Sequence, residues 1–184
     1  MRRWRMNNEQ RRTTLLGAGA QWLVLDAASC AEPLWYARGM GAPLQSLFRQ
    51  QDEDLADSGP WLIRADSYPD LVDTCLKKDP LGHASLWCAS PLDQKTLVNQ
   101  LRGRVYAALP SGETTRFRWY DPRVLFPYLE DCTQQRRNDF LAPFDLLVHA
   151  DLNPYNHPHQ LQIWQQSGKG AGFTNSPLVF TEEV

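Results

Sequence analysis

No two cysteines stand close together in this chain. Cys30, Cys75, Cys88 and Cys132 form no CxxC pair, which excludes a zinc ribbon and a thioredoxin-type motif. Their neighbours, as in LVDTCLKK and SLWCAS, are mostly apolar, so small buried hydrophobes are expected. No run reaches the ~18 apolar residues of a membrane span. The nearest, TTLLGAGAQWLVLDAASCA, is interrupted by Gln21 and Asp26 and lacks a signal-peptide layout; a cytoplasmic protein with no membrane partner is expected. A strong charge bias is also missing. The formal net charge is -2, so the molecule as a whole is not built to hold nucleic acid. There is no GxSxG elbow, Gly-rich phosphate loop or HExxH pair, and these absences favour a non-enzyme without cofactor or metal.

What is present suits one soluble domain. The chain has 184 residues, 42% of them hydrophobic and 22% charged, enough to bury a sizeable core. The opening MRRWRMNNEQRR carries five arginines against one glutamate. Residues 1–19 are expected to form a basic flexible N-terminus, with a nucleic-acid arm as the other possibility. Residues 20–150 are the expected α/β domain, and residues 151–184, rich in Asn, Pro, Gln and Gly, a short C-terminal tail that adds at most one strand and is available to a partner.

Strands and helices alternate along the middle of the chain. QWLVLDA is a continuous apolar run of strand length, suited to a strand covered on both faces. EPLWYARGM predicts a short helix with Pro33 in its first turn. PLQSLF predicts a brief strand. In LADSGPWLI, Asp57 is expected to accept backbone N–H bonds in a turn, Gly59 to supply a positive φ, and Pro60 to lead Trp61 into a sheet. DSYPDLVDTCLKK predicts a helix capped by Ser67, and SLWCASPLDQKTLVNQLR a strand feeding a helix capped by Ser90 with Pro91 at its first position. RVYAALPSGETTRFRWY predicts a hairpin. Asp121 then caps a helix opened by Pro122, with a break or kink at Pro127, and Thr133 caps another. The fold class expected is α/β: a mixed β-sheet with flanking helices, a single domain plus the short tail.

Two chemistries compete for the role of a site. Cys88 with His83 or His149 has the residue types of a nucleophile and base, and His157 and His159 with Asp151 those of a metal site. Against these stand seven tryptophans and exposed arginines, the residue types that dominate binding hot spots. If RFRWY is one strand, Arg116, Arg118 and Tyr120 share a face. That face is the first candidate partner-binding surface, followed by Trp164 and Phe173 in the tail.

The order WLVLDAA, PLQSLF, LADSGPWLI, SLWCASPLDQKTLVNQLR, RFRWYDPRVL, FLAPFDLLV resembles the type VI secretion effector-adaptor family, also called domain of unknown function 4123. The similarity covers residues 20–150. The resemblance implies a non-catalytic adaptor or chaperone that binds a cognate toxin effector and helps load it on the VgrG spike protein, with a small cytosolic hydrolase as the alternative. It picks out Asp57, Gly59, Pro60 and Trp61, then Ser90 and Pro91, then Arg116, Tyr120, Asp121, Pro122 and Arg123. Most of these build corners and caps, so they are expected to shape a scaffold. The short tail implies that a co-chaperone shares the work.

Overall fold

The structure, a computed structural model, describes residues 6–151, 160–166 and 172–178. Its frame is a seven-stranded sheet in the order β2-β3-β1-β4-β7-β8-β9. The strands are β1 (Trp22–Asp26), β2 (Leu44–Ser46), β3 (Pro60–Arg64), β4 (Ser85–Ala89), β7 (Leu146–Ala150), β8 (Leu161–Gln166) and β9 (Phe173–Leu178). A separate hairpin joins β5 (Tyr106–Ala108) to β6 (Thr114–Arg116).

Helices cover both faces. On one side α1 (Asn8–Gly17), α2 (Glu32–Gly39) and α3 (Pro69–Lys78) bury Leu15, Leu34, Leu71 and Val72 against Leu23, Leu25 and Ile63 of the sheet. On the other, α4 (Gln94–Arg104), α5 (Pro122–Asp131) and α6 (Gln134–Leu141) bury Leu97, Leu101, Leu125 and Phe140 against Val24, Leu62, Leu86 and Cys88. Each such side chain contributes about 1.5–3 kcal/mol by leaving water. Every residue of β1, β4 and β7 is buried, which is why these strands have apolar side chains on both faces instead of alternating.

The α/β single domain is as expected, but each described pairing in the sheet is antiparallel. The mixed sheet, expected from the alternation of strands and helices with one antiparallel hairpin, is therefore corrected in strand direction alone. Double-sided cover demands continuous apolar strands whatever their direction, so the apolar run carried no information about polarity.

The flexible N-terminus expected over residues 1–19 is corrected where its residues are described, at α1. Asn7 caps α1 with a full capping box to Gln10. Arg11 is buried at 1% exposure, where burial lowers its guanidinium from the ordinary range. Arg12 pairs with Asp73 of α3. The C-terminal segment adds two strands, β8 and β9, where one was expected; Leu161 and Ile163 are buried on one face and Trp164 and Phe173 on the other.

Two caps lie elsewhere than expected. Tyr68, not Ser67, occupies the N-cap of α3, with Pro69 as the first helical residue and no side-chain hydrogen bond. Asp93, not Ser90, caps α4 by accepting from Thr96 N at 3.0 Å. Pro91 accordingly lies before the helix. Pro127 does not break α5, which continues to Asp131, although a proline there supplies no N–H to the helix.

Candidate functional site

The quoted motifs meet at one end of the central strands. β1 closes on Asp26, a carboxylate at 1% exposure placed opposite Pro60 of β3. Asp26 N donates to Ala84 O at 2.8 Å, and Ala27 N donates to Gly59 O at 3.1 Å. Thus the WLVLDAA, GPWLI and SLWCA stretches are stitched together by backbone bonds. The Asp26 carboxylate accepts from Ser29 Oγ at 2.8 Å, from Ala28 N at 3.2 Å and from Arg118 Nη2 at 2.5 Å. Sequence reading noticed Asp26 only as an interruption of an apolar run, and that was its signal: a charge ending a fully buried strand needs a partner.

Arg118 extends this lock to Asp121, 3.7 Å away. Asp121 caps α5 by accepting from Arg123 N at 3.0 Å. It also receives the Arg123 side chain at two atoms, Nε at 2.9 Å and Nη2 at 2.8 Å, the bidentate geometry that suits a guanidinium. Burial pushes the Asp121 carboxyl up, but the Arg123 side-chain and backbone bonds outweigh it and the net direction is down. The bond to Asp26 raises the Arg118 guanidinium against the opposing effect of burial. Two buried carboxylates thus face two half-exposed arginines, and both carboxylates are occupied. The cluster holds β1, the stretch after β6 and the start of α5 in one geometry.

A second joint forms beside it. Asp79, which ends α3, accepts from His83 N at 2.9 Å, Ala84 N at 2.9 Å and Ser85 Oγ at 2.6 Å, and so turns the chain into β4. Cys75 Sγ lies 3.1 Å from Ser85 Oγ. Gly82 takes φ +65° there, and a Cβ would fall 2.5 Å from Ala150 Cβ; only glycine fits.

The GPW corner is built differently from expectation. Asp57 lies in a 3-10 helix, Gln50–Ser58, and binds Arg38 of α2 at 2.6 Å. Gly59 has φ -115°, extended backbone that any residue adopts. The glycine is needed for space: a Cβ would overlap Phe48 Cε2 and come within 2.7 Å of Cδ2. Pro60 opens β3. Trp61 is buried, donates Nε1–H to Ala56 O at 2.8 Å, and lies under Arg38 at 5.0 Å. Ser90 donates to Pro143 O at 2.6 Å and accepts from Leu92 N at 3.2 Å, tying the α4 entry to the segment before β7.

The proposed binding face at RFRWY is corrected. The strand β6 ends at Arg116, so the period of two does not extend to Trp119 and Tyr120. Trp119 is at 0% exposure and Tyr120 at 4%, and burial raises the Tyr120 phenol. Arg116 remains exposed; it lies 3.7 Å from Asp52 and over the Phe48 ring at 5.3 Å. Arg118 is committed to Asp26. Trp164 and Phe173 are buried in the core with Phe126 and Phe144, because β8 and β9 belong to the sheet. Of the five candidate partner-binding residues, only Arg116 and the outer half of Arg118 face solvent.

The candidate nucleophiles are also placed. Cys30, Cys75 and Cys88 are buried and Cys132 is partly exposed. Burial pushes the Cys30 thiol up to about 11, with Asp79 and Glu32 adding to it, and raises Cys75 and Cys88 further. His149 is buried, with Nδ1 2.6 Å from Ala150 O and its ring stacked on Phe126. Desolvation lowers it to about 4. His157 and His159 lie outside the described residues. Among the described residues no cluster of three His, Cys, Asp or Glu has metal-binding spacing, and no helix is long and apolar enough to cross a membrane.

Sequence reasoning missed an exposed set on the other side of the GPW corner. Trp35 is at 53% exposure and Tyr36 is also exposed; Arg38 lies between Trp35 at 5.1 Å and Trp61 at 5.0 Å. A signal existed, since in EPLWYARGM the aromatic pair sits between the helix's buried Leu34 and Ala37.

No curated protein and no solved structure matches the chain. Residues 21–139 match a protein family described as a domain of unknown function. The matched span holds Asp26, the GPW corner, Asp79, Ser90 and the Arg118–Asp121–Arg123 cluster. It extends over more than half of the chain, and the chain therefore belongs to the domain of unknown function family DUF4123.

Proposed function

We propose that this chain is a non-catalytic adaptor, which holds a type VI secretion toxin effector in the cytoplasm and helps load it on the VgrG spike protein. The observation that carries this reading is the family match over residues 21–139, the span in which the quoted motifs resemble the effector-adaptor family. The geometry agrees with it. Asp26, Asp57, Asp79 and Asp121 are spent on arginines, hydroxyls and backbone N–H groups, as in a scaffold. The hydrolase alternative fares worse: the Cys88 thiol is buried and raised, the opposite of an activated nucleophile. A nucleic-acid arm is disfavoured too, because Arg11 and Arg12 are used inside the fold. Binding energy would come from a few aromatic and arginine anchors worth ~2 kcal/mol or more each. A co-chaperone remains part of the proposal.

Co-expression with the cognate toxin effector, sought among the neighbouring genes, followed by size-exclusion chromatography, tests the reading. A joint peak that recruits VgrG is the expected result. Separate elution of toxin and adaptor at micromolar concentration sinks it.

A further inference from the structure

The outer strand of the sheet, β2, is paired on one side only. Arg64 N donates to Pro43 O and Leu47 N to Pro60 O, each at 2.8 Å. Positions 43, 45 and 47 therefore turn their backbone toward β3, and Leu44 and Ser46 turn theirs outward. Arg102 Nη2 takes the Ser46 carbonyl at 2.7 Å. The outward N–H groups of Leu44 and Ser46 have no strand beside them among the described residues.

A cleft of about 370 Å³ runs along this edge. Leu44 and Trp61 come to it from one face of the sheet, Phe48 and Arg102 from the other, and Arg49 and Glu53 from the neighbouring turn. It thus straddles the position that one more strand would take. Its charge is unbalanced. Among the described residues neither Arg49 nor Arg102 has an acidic partner within 4.0 Å. Arg49 rests instead on the Tyr106 ring at 4.1 Å, and Arg102 Nε is buried without an acceptor. Glu53 is the one acid in the lining.

We propose that this cleft binds an extended, acidic segment of the partner polypeptide, which adds a strand beside β2 and sets a carboxylate against Arg102 and Arg49. The partner's identity as the toxin rests on the adaptor reading above; the strand addition does not. Backbone pairing gives affinity and the pockets give specificity. Because β2 has three residues, the ladder is short, and the charge contact together with the apolar contact of Trp61 and Phe48 in the lining carries much of the selectivity.

Two measurements decide it. First, fluorescence anisotropy follows a labelled peptide, Thr-Val-Glu-Val-Thr, on the isolated full chain. Expected is saturable binding, weakened at least tenfold by Arg49→Glu/Arg102→Glu in the protein, by Lys for Glu in the peptide, and by N-methylation of alternate peptide amides. Lys95→Glu on α4 serves as the surface control, and a thermal melt confirms that each variant folds. No binding, or equal binding of the Lys peptide, overturns the proposal. Second, amide hydrogen exchange is recorded on the chain alone and with the cognate toxin effector. Protection of Leu44 and Ser46 only in the complex supports it. A complex that leaves both amides unprotected, or their protection in the chain alone through pairing with a second copy, overturns it. A failed toxin complex together with peptide binding refutes the adaptor reading and leaves the strand-addition site standing.

Discussion

Gly59→Ala separates two reasons for a glycine in the GPW corner. If the backbone demanded it, alanine would be strained at that φ. At φ -115° it is not, and the Gly→Ala change by itself stabilises by about 0.4–1 kcal/mol through the unfolded chain. The obstacle is the Phe48 ring, which an added Cβ would overlap. Phe48 is buried in the core with Leu47 and Trp119, so its ring can give way only toward the cleft that it lines beside β2. Overpacking of this kind costs about 1–3 kcal/mol. The single variant is therefore expected to lose about 1–2 kcal/mol net in urea unfolding. Phe48→Leu removes the ring edge at its own cost of about 1–2 kcal/mol, by analogy with other large-to-small core changes. In that background Gly59→Ala should cost less than ~0.5 kcal/mol or stabilise. The double-mutant cycle gives the coupling directly. Equal cost in both backgrounds would refute the steric account.

Three other outcomes follow from the same geometry. His149 falls to about 4 on burial while the unfolded chain keeps a value near 6.5. The unfolded state then binds the extra proton, so stability is lost as pH falls from about 6.5 to 4, by about 3 kcal/mol in all; urea midpoints should show this slope in the wild type and not in His149→Leu. Asp121→Ala removes the α5 cap and both arginine contacts, for about 2–4 kcal/mol, and Asp121→Asn should recover the cap portion; equal melting temperatures for the two variants would contradict this. With a thiol reagent on the native protein, Cys132 should react first, while Cys75 and Cys88 react only at the rate of unfolding; fast labelling of Cys88 would reopen the hydrolase reading.

Legibility in the sequence followed the range of the cause. The Asp121 and Thr133 caps satisfy N–H groups two or three residues away, so composition and spacing reveal them. The apolar runs of β1, β3 and β4 report burial on two faces. The Ser90 misreading was also local in origin: a serine before Pro91 resembles a cap, but its hydroxyl reaches Pro143 O, 53 residues on. Tyr120 went astray because alternation was carried past Arg116, where the chain leaves the hairpin.

Nothing near Asp26 in the chain announces Arg118, which lies 92 residues away. Nothing near Gly59 announces the Phe48 ring, and a buried Arg11 contradicts its own composition. The amino-acid order by itself determined the central strands β1, β3 and β4, the starts of α2, α5 and α6, and the family, because backbone preferences and apolar burial act over a few residues. Which arginine neutralises which carboxylate, which aromatics are buried, and which sheet edge stays open were decided only when the chain closed on itself, since charge pairing and steric exclusion depend on distance in space and not on separation along the sequence.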